Sequence, residues 1–176
     1  MEHTKHTKNE FFEADKRGQY KVLSTICETL YKSNSVKVLT FNLNYDNYSP
    51  IDIYIRVLTE SDNMYSYAIE CKDRNCKHTD FAEEGFLITT QKLMKLLEAA
   101  AEGYKPLYLN SFTDGYFVIW DLSKIKITDL GITRKKAFPK TTINNESHKV
   151  VEEQRLTLKL KDCVYCGKLN ESQKVS

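Results

Sequence analysis

The sequence predicts a single α/β domain, with a central mixed sheet flanked by helices. Its 176 residues, 41% of them apolar, suit one globular domain and are too few for two ordinary ones. The hydrophobic pattern alternates between helical and strand periods, giving the order helix, three strands, helix, two strands. We expect residues 1–8 to form a polar tail, residues 9–162 the domain and residues 163–176 a second tail.

The first helix is predicted within residues 9–32, because apolar residues recur there at three- and four-residue steps, most regularly from Leu23 onward. Gly18 is a point at which this helix can break. The segment 36–43 (VKVLTFNL) is rich in β-branched and apolar residues, which favours a strand. A polar loop is expected at residues 44–50.

Two further strands are predicted to form a hairpin. Residues 51–58 (IDIYIRVL) alternate strictly, with isoleucine and valine on one face and polar residues on the other. Residues 65–72 alternate in the same way, after a short polar turn at 59–63. A connection of this length makes the two strands antiparallel neighbours.

The second helix is the most regular element of the pattern. Thr89 or Thr90 suits its N-cap, and Gly103 suits its end. Its apolar stripe comprises Leu93, Leu96, Leu97, Ala100 and Ala101.

Beyond this helix the chain returns to strand patterns. Residues 106–110 (PLYLN) and 116–122 (YFVIWDL) flank a segment that ends in Asp114-Gly115, a turn sequence. Alternating leucines at 156, 158 and 160 predict one more strand.

The register of the hairpin brings three charged residues together. If Leu58 lies opposite Met64, then Asp52 lies opposite Glu70, and a shift of two residues places Asp52 opposite Lys72. Either register keeps all three on one face, with opposed Cβ atoms about 5 Å apart. Two carboxylates and an ammonium group are therefore expected to converge.

Such a cluster has a chemical use. Carboxylate and carbonyl oxygens are the ligands that Mg²⁺ prefers, and bound Mg²⁺ activates water and stabilises charge on a phosphoryl oxygen. An adjacent lysine can orient the attacking water. The alternative is an ordinary solvated hairpin face, whose ion pairs contribute below about 1 kcal/mol each.

Asp52 followed by Glu70-Cys71-Lys72, inside an α-β-β-β-α-β order, resembles the PD-(D/E)xK nuclease superfamily with its restriction-endonuclease-like αβββαβ core. The resemblance spans residues 9–122. Its most telling stretch is YAIECKDR, and the segment that follows is similar to small phage-type and junction-resolvase-like members. Pro50 departs from the motif, because it lies two residues before Asp52 rather than next to it.

The resemblance implies a function and roles for the site residues. Asp52, Glu70 and the Cys71 carbonyl would bind Mg²⁺ or Mn²⁺, and Lys72 would be the catalytic lysine. The expected protein is a deoxyribonuclease, with an endonuclease favoured, that cleaves by direct attack of water and forms a homodimer. A non-catalytic DNA- or protein-binding module on the same scaffold is the alternative.

Other residues are predicted to support this function. The formal charge is only +2, so affinity for DNA must come from local patches. Lys72, Arg74 and Lys77 are the expected phosphate contacts, together with the basic run 134–136. Gln91 and Lys92 open the second helix and are candidate accessory residues, or simply its capped and solvated first turn.

The cysteines raise a separate possibility. Cys163 and Cys166 form a C-x-x-C pair that Cys76 and His78 could complete as a zinc site. The alternative is reduced thiols, because five cysteines is an odd number. Since no apolar stretch approaches the roughly 20 residues of a membrane helix and no secretory signal is evident, a cytoplasmic protein is expected.

Overall fold

The computed structural model describes residues 18–24, 26–27, 36–43, 51–81, 85–126, 128, 130–137 and 151–168. Within them the chain is a mixed α/β protein with nine strands and few helices. In chain order the strands are β1 (Val36–Leu43), β2 (Ile53–Thr59), β3 (Met64–Arg74), β4 (Phe86–Thr89), β5 (Lys105–Phe112), β6 (Tyr116–Asp121), β7 (Gly131–Ala137), β8 (Val151–Leu158) and β9 (Tyr165–Lys168).

Two α-helices accompany the strands. Helix α1 is described at residues 18–24 and 26–27, and α2 spans Thr90–Ala101. Short 3₁₀ turns occur at His78–Phe81, Leu122–Lys124 and Leu160–Asp162. Among the described residues no helix is both long and apolar enough to cross a bilayer.

Six strands form the main sheet, in the order β1-β2-β3-β5-β6-β9. All neighbours in it are antiparallel except β3 and β5, which run parallel because the chain crosses over through β4 and α2 between them. The remaining strands form a second antiparallel sheet in the order β4-β8-β7. The mixed sheet predicted from the sequence is therefore present.

The core lies on both faces of the main sheet. On one face α1 packs on the sheet through a cluster that includes Val22, Leu23, Ile53, Ile55, Val57, Ile69, Leu109 and Phe117. On the other face α2 and the second sheet share a cluster that includes Phe86, Ile88, Leu93, Leu96, Trp120, Leu156 and Leu158. Because both faces are covered, polar side chains in the middle strands are removed from water.

Several predicted elements are confirmed. Strand β1 has the predicted bounds, and β2 pairs with β3 in the register that places Leu58 opposite Met64. Helix α2 begins after Thr89, whose side chain accepts a hydrogen bond from the Lys92 amide. Its buried stripe differs from the prediction, because Ala99 is buried and Ala101 is exposed.

Other predictions need correction. Strands β4, β7 and β9 were not predicted. The predicted tail at residues 163–176 is wrong at its start, because Tyr165–Lys168 pairs with β6 as an edge strand of the main sheet. The predicted tail at residues 1–8 and the loop at 44–50 lie outside the described residues.

Candidate active site

Glu70 lies in the middle of β3, on the face that packs against α2. Only 6% of the residue is exposed, although a carboxylate is rarely buried without strong partners. Lys92 of α2 provides one partner, with its Nζ 2.7 Å from Glu70 Oε1. Glu70 Oε2 is also buried and has no hydrogen-bond partner among the described residues.

Asp52 lies at a bend immediately before β2. Its Oδ2 accepts a hydrogen bond from the Cys71 amide at 2.7 Å, and its Oδ1 accepts one from Gln19 Nε2 at 3.0 Å. The β2–β3 ladder ends at the pair Ile53 and Ile69, while β3 continues beyond it. The Asp52 carboxylate therefore satisfies an amide that β2 no longer reaches.

One feature of the predicted hairpin is wrong, because the chain bends at Asp52. Strict alternation would place Ile51 on the same face as Ile53, yet Ile51 packs in the cluster with α2 while Ile53 packs in the cluster with α1. The chain changes direction at Asp52, so strand alternation does not set the position of this carboxylate. The bend and its two hydrogen bonds set that position instead.

The two carboxylates influence each other electrostatically. Burial and the neighbouring Asp52 carboxylate raise the pKa of Glu70 from 4.5 to about 8, against the opposing effect of the Lys92 ammonium. Near neutral pH Glu70 therefore favours its protonated form when no cation is bound beside it. A bound cation would favour the charged carboxylate instead.

The donor set fits a hard cation better than zinc. No group of three or more histidine, cysteine, aspartate or glutamate side chains in the described part of the chain is placed to hold a metal. The oxygens available are those of Asp52, Glu70 and the Cys71 carbonyl, which points to the same side of β3 as the Cys71 amide because of strand geometry. Oxygen donors completed by water suit Mg²⁺.

Two lysines lie on the side of the main sheet that carries Glu70, one on β3 and one on α2. Lys72 follows Glu70 by two residues on β3, so it lies on the same face, and it is exposed. Its side chain makes no ion pair with any residue that the structure describes. Lys92, predicted only as an accessory residue, is the lysine that contacts Glu70, whereas its neighbour Gln91 is exposed.

Arg74 has a role that the sequence did not indicate. Its Nε donates to Asn110 Oδ1 at 2.6 Å, and its Nη2 donates to the Leu87 carbonyl at 3.2 Å and to the Tyr108 hydroxyl at 3.1 Å. The guanidinium group thus joins β3, β4 and β5 within the protein. That Arg74 binds DNA phosphate stays a prediction.

The other predicted phosphate contacts are Lys77 and the basic run at residues 134–136. Lys77 is exposed, and its prediction stands untested. The basic run lies on β7, where the register places Lys135 opposite Glu153 and Lys136 opposite Glu152. That this run contacts DNA phosphate stays a prediction.

The predicted zinc site is not assembled. His78 Nδ1 lies 2.7 Å from Asp114 Oδ2, and the His78 ring stacks on Tyr116 with 3.8 Å between centroids. Cys166 belongs to β9, and all five cysteines are free thiols. Since no metal-binding group of three occurs among the described residues, Cys76, His78, Cys163 and Cys166 do not form a zinc centre there.

Sequence reasoning missed two buried polar residues beside the site. Gln19 precedes Leu23 by four residues, so it lies on the buried face of α1, and a polar residue in that position was an available signal. Asn110 is completely buried on β5, within a strand whose pattern looked merely apolar. No feature of the sequence alone indicated its contact with Arg74.

Comparisons of the chain with protein-family models, with curated proteins and with solved structures found no match.

Proposed function

We propose that the protein is a metal-dependent nuclease that hydrolyses DNA phosphodiester bonds at the Asp52–Glu70 site. The observation that carries the proposal is the buried Glu70 carboxylate next to Asp52, with one oxygen lacking a partner among the described residues. Two carboxylates held together in this way are costly in their charged forms unless a cation binds to them. A solvated hairpin face would not bury Glu70.

The order of elements supports a more specific proposal, that the chain has a restriction-endonuclease-like core. The chain passes from α1 through β1, β2 and β3 to α2 and then to β5, which lies parallel to β3. This is the order that we expect for a restriction-endonuclease-like core. Strand β4, which lies in the second sheet, is an addition to that order.

In the proposed reaction a water molecule attacks phosphorus, the bond from phosphorus to the leaving oxygen breaks, and that oxygen takes up a proton. Asp52, Glu70 and the Cys71 carbonyl would hold Mg²⁺ or Mn²⁺, which supplies Lewis-acid stabilisation of the phosphoryl oxygens. Lys72 would orient the water and offset the charge that develops on phosphorus. Lys92 fixes the Glu70 carboxylate through Oε1.

A cleavage assay tests this function directly. Labelled duplex, single-stranded and branched DNAs are incubated with Mg²⁺ or Mn²⁺ and with wild type, Asp52→Asn, Glu70→Gln or Lys72→Ala. We expect metal-dependent cleavage by wild type and a rate lower by at least about 100-fold in each variant. Lys95→Ala is the matched control, because Lys95 is on α2 but pairs with Glu98 rather than with the site.

Two results would contradict the proposal. One is a wild type that cuts none of these DNAs, and the other is cleavage by Glu70→Gln at the wild-type rate. Circular dichroism spectra that match wild type establish that each variant is folded. Glu70→Gln is well suited to this purpose, because it keeps the shape of the side chain and removes its buried charge.

A further inference from the structure

A cleft is lined by residues of β1 and β2 and by residues that follow the C-terminal end of α2. Its volume is about 420 Å³, and the residues that line it include Asn42, Tyr54, Arg56, Glu102 and Tyr104. Asn42 lies opposite Tyr54 in the β1–β2 register, and both contribute to the cleft. The cleft combines aromatic rings with hydrogen-bonding groups.

The end of α2 fixes one wall of this cleft. Gly103 adopts a positive φ of 93°, its amide donates to the Ala100 carbonyl at 3.0 Å, and the Tyr104 amide donates to the Ala99 carbonyl at 3.1 Å. These two bonds form a Schellman motif, which ends the helix and sets the direction of Tyr104. The Tyr104 ring then meets Tyr54 edge to face, with centroids 5.0 Å apart.

Arg56 supplies the positive charge of the cleft. Its Nη2 donates to the Tyr104 hydroxyl at 2.8 Å, and its guanidinium carbon lies 5.7 Å from the centroid of the Tyr104 ring. Arg56 is exposed and makes no ion pair within the described part of the chain. An anchored guanidinium group of this kind can bind phosphate or stack on a base.

The position of the cleft relates it to the candidate active site. Tyr54 follows Asp52 by two residues, which is about 7 Å along an extended chain. Tyr54 also lies opposite Ala68, so it is on the same face of the sheet as Glu70. The cleft and the Glu70 carboxylate therefore lie on one face of the main sheet, so a single strand that crosses this face could reach both.

We propose that this cleft binds an unpaired base and its phosphate, so that the substrate is single-stranded or locally unpaired DNA. Aromatic side chains stack on base faces, which are accessible only where the bases are not paired within a duplex. Arg56 complements the phosphate charge, and Asn42 offers an amide to a base edge. This inference rests on the proposed nuclease function, because it names the substrate class of that site.

The test measures binding separately from cleavage. Fluorescence anisotropy is recorded in EDTA for a labelled single strand and for the same sequence as a duplex. We expect the single strand to bind more tightly, and Arg56→Ala and Tyr104→Leu each to weaken its binding about tenfold. Tyr104→Phe keeps the ring and removes the hydroxyl that anchors Arg56, so it should have a smaller effect than Tyr104→Leu.

Lys37→Ala is the matched control, because it removes an exposed cation of β1 that pairs with Asp62, away from the cleft. Duplex binding equal to or tighter than single-strand binding would overturn the inference. So would Arg56→Ala and Tyr104→Leu chains that are folded and bind the single strand as Lys37→Ala does. If binding behaves as expected but wild type cleaves nothing in Mg²⁺ or Mn²⁺, the cleft assignment stands and the nuclease proposal fails.

Discussion

The Glu70 carboxylate links the stability of the protein to pH. Its pKa is raised from 4.5 to about 8, mainly because burial penalises the charged form. The folded state therefore holds this proton more tightly than the unfolded state does. The corresponding stability is fully present below pH 4.5, declines as pH rises, and is lost above about pH 8.

Replacement of Glu70 by glutamine should remove this pH dependence. In EDTA, we expect the free energy of unfolding of wild type to fall between pH 6 and pH 9 relative to Glu70→Gln, by on the order of 2 kcal/mol. Urea denaturation at a series of pH values measures this difference. Asp62→Asn is the control, because Asp62 is exposed and asparagine tolerates its positive φ of 59°. Parallel pH profiles for wild type and Glu70→Gln would show that Glu70 is not the titrating group.

The residue immediately before β4 must be a glycine. Gly85 has a φ of 78°, and a Cβ there would collide with Thr157 Cγ2 and lie 2.9 Å from the Leu158 carbonyl oxygen. Gly85→Ala should therefore combine backbone strain with a clash against β8 and destabilise the protein by about 3 kcal/mol. Urea denaturation provides the measurement.

Gly115 offers a matched comparison in the β5–β6 turn. Its φ is 81°, but a Cβ there would meet nothing within 4 Å. Gly115→Ala should cost only the backbone strain, about 1 kcal/mol. If Gly85→Ala and Gly115→Ala lose the same free energy of unfolding, a Cβ at residue 85 does not clash with β8 as the structure indicates.

The elements differ in how much of them the sequence could predict. Strand β1, helix α2 and the β2–β3 register follow from local periodicity and turn length, and the structure confirms them. Strands β4 and β9 have only four residues each, too few to establish an alternating pattern. Strand β7 (GITRKKA) reads as a basic patch because it lacks an apolar alternation, and its pairing with β8 is not visible in any local pattern.

The same limit applies to the candidate site. The proximity of Asp52 and Glu70 could be predicted from the hairpin register, although the bend and its hydrogen bonds set the actual position of the Asp52 carboxylate. The Glu70–Lys92 ion pair and the inward turn of Arg74 could not, since each depends on how α2 and β4 pack on the sheet. The bend at Asp52 lies just beyond the last β2–β3 pair, while β3 continues, and this becomes visible only when the strands are paired.

At the level of the whole molecule, the two sheets share one core. Trp120, the only tryptophan of the chain, is fully buried in the cluster that contains Leu158 of β8 and Leu96 of α2. Its Nε1 donates to the Lys159 carbonyl at 3.0 Å, just beyond the end of β8. A shared core of this kind predicts that the second sheet unfolds together with the main sheet.

Leu158→Ala tests this cooperativity. The substitution leaves a cavity between the sheets and should destabilise the protein by about 3 kcal/mol, with far-UV circular dichroism and Trp120 fluorescence changing at the same urea concentration. Ile132→Ala is the control on β7, where the side chain is 66% exposed and the loss should stay below about 0.5 kcal/mol. If instead the circular dichroism signal falls in two steps and Trp120 follows only the second, the three-stranded sheet is an independent unit, and the prediction of a single cooperative domain is wrong.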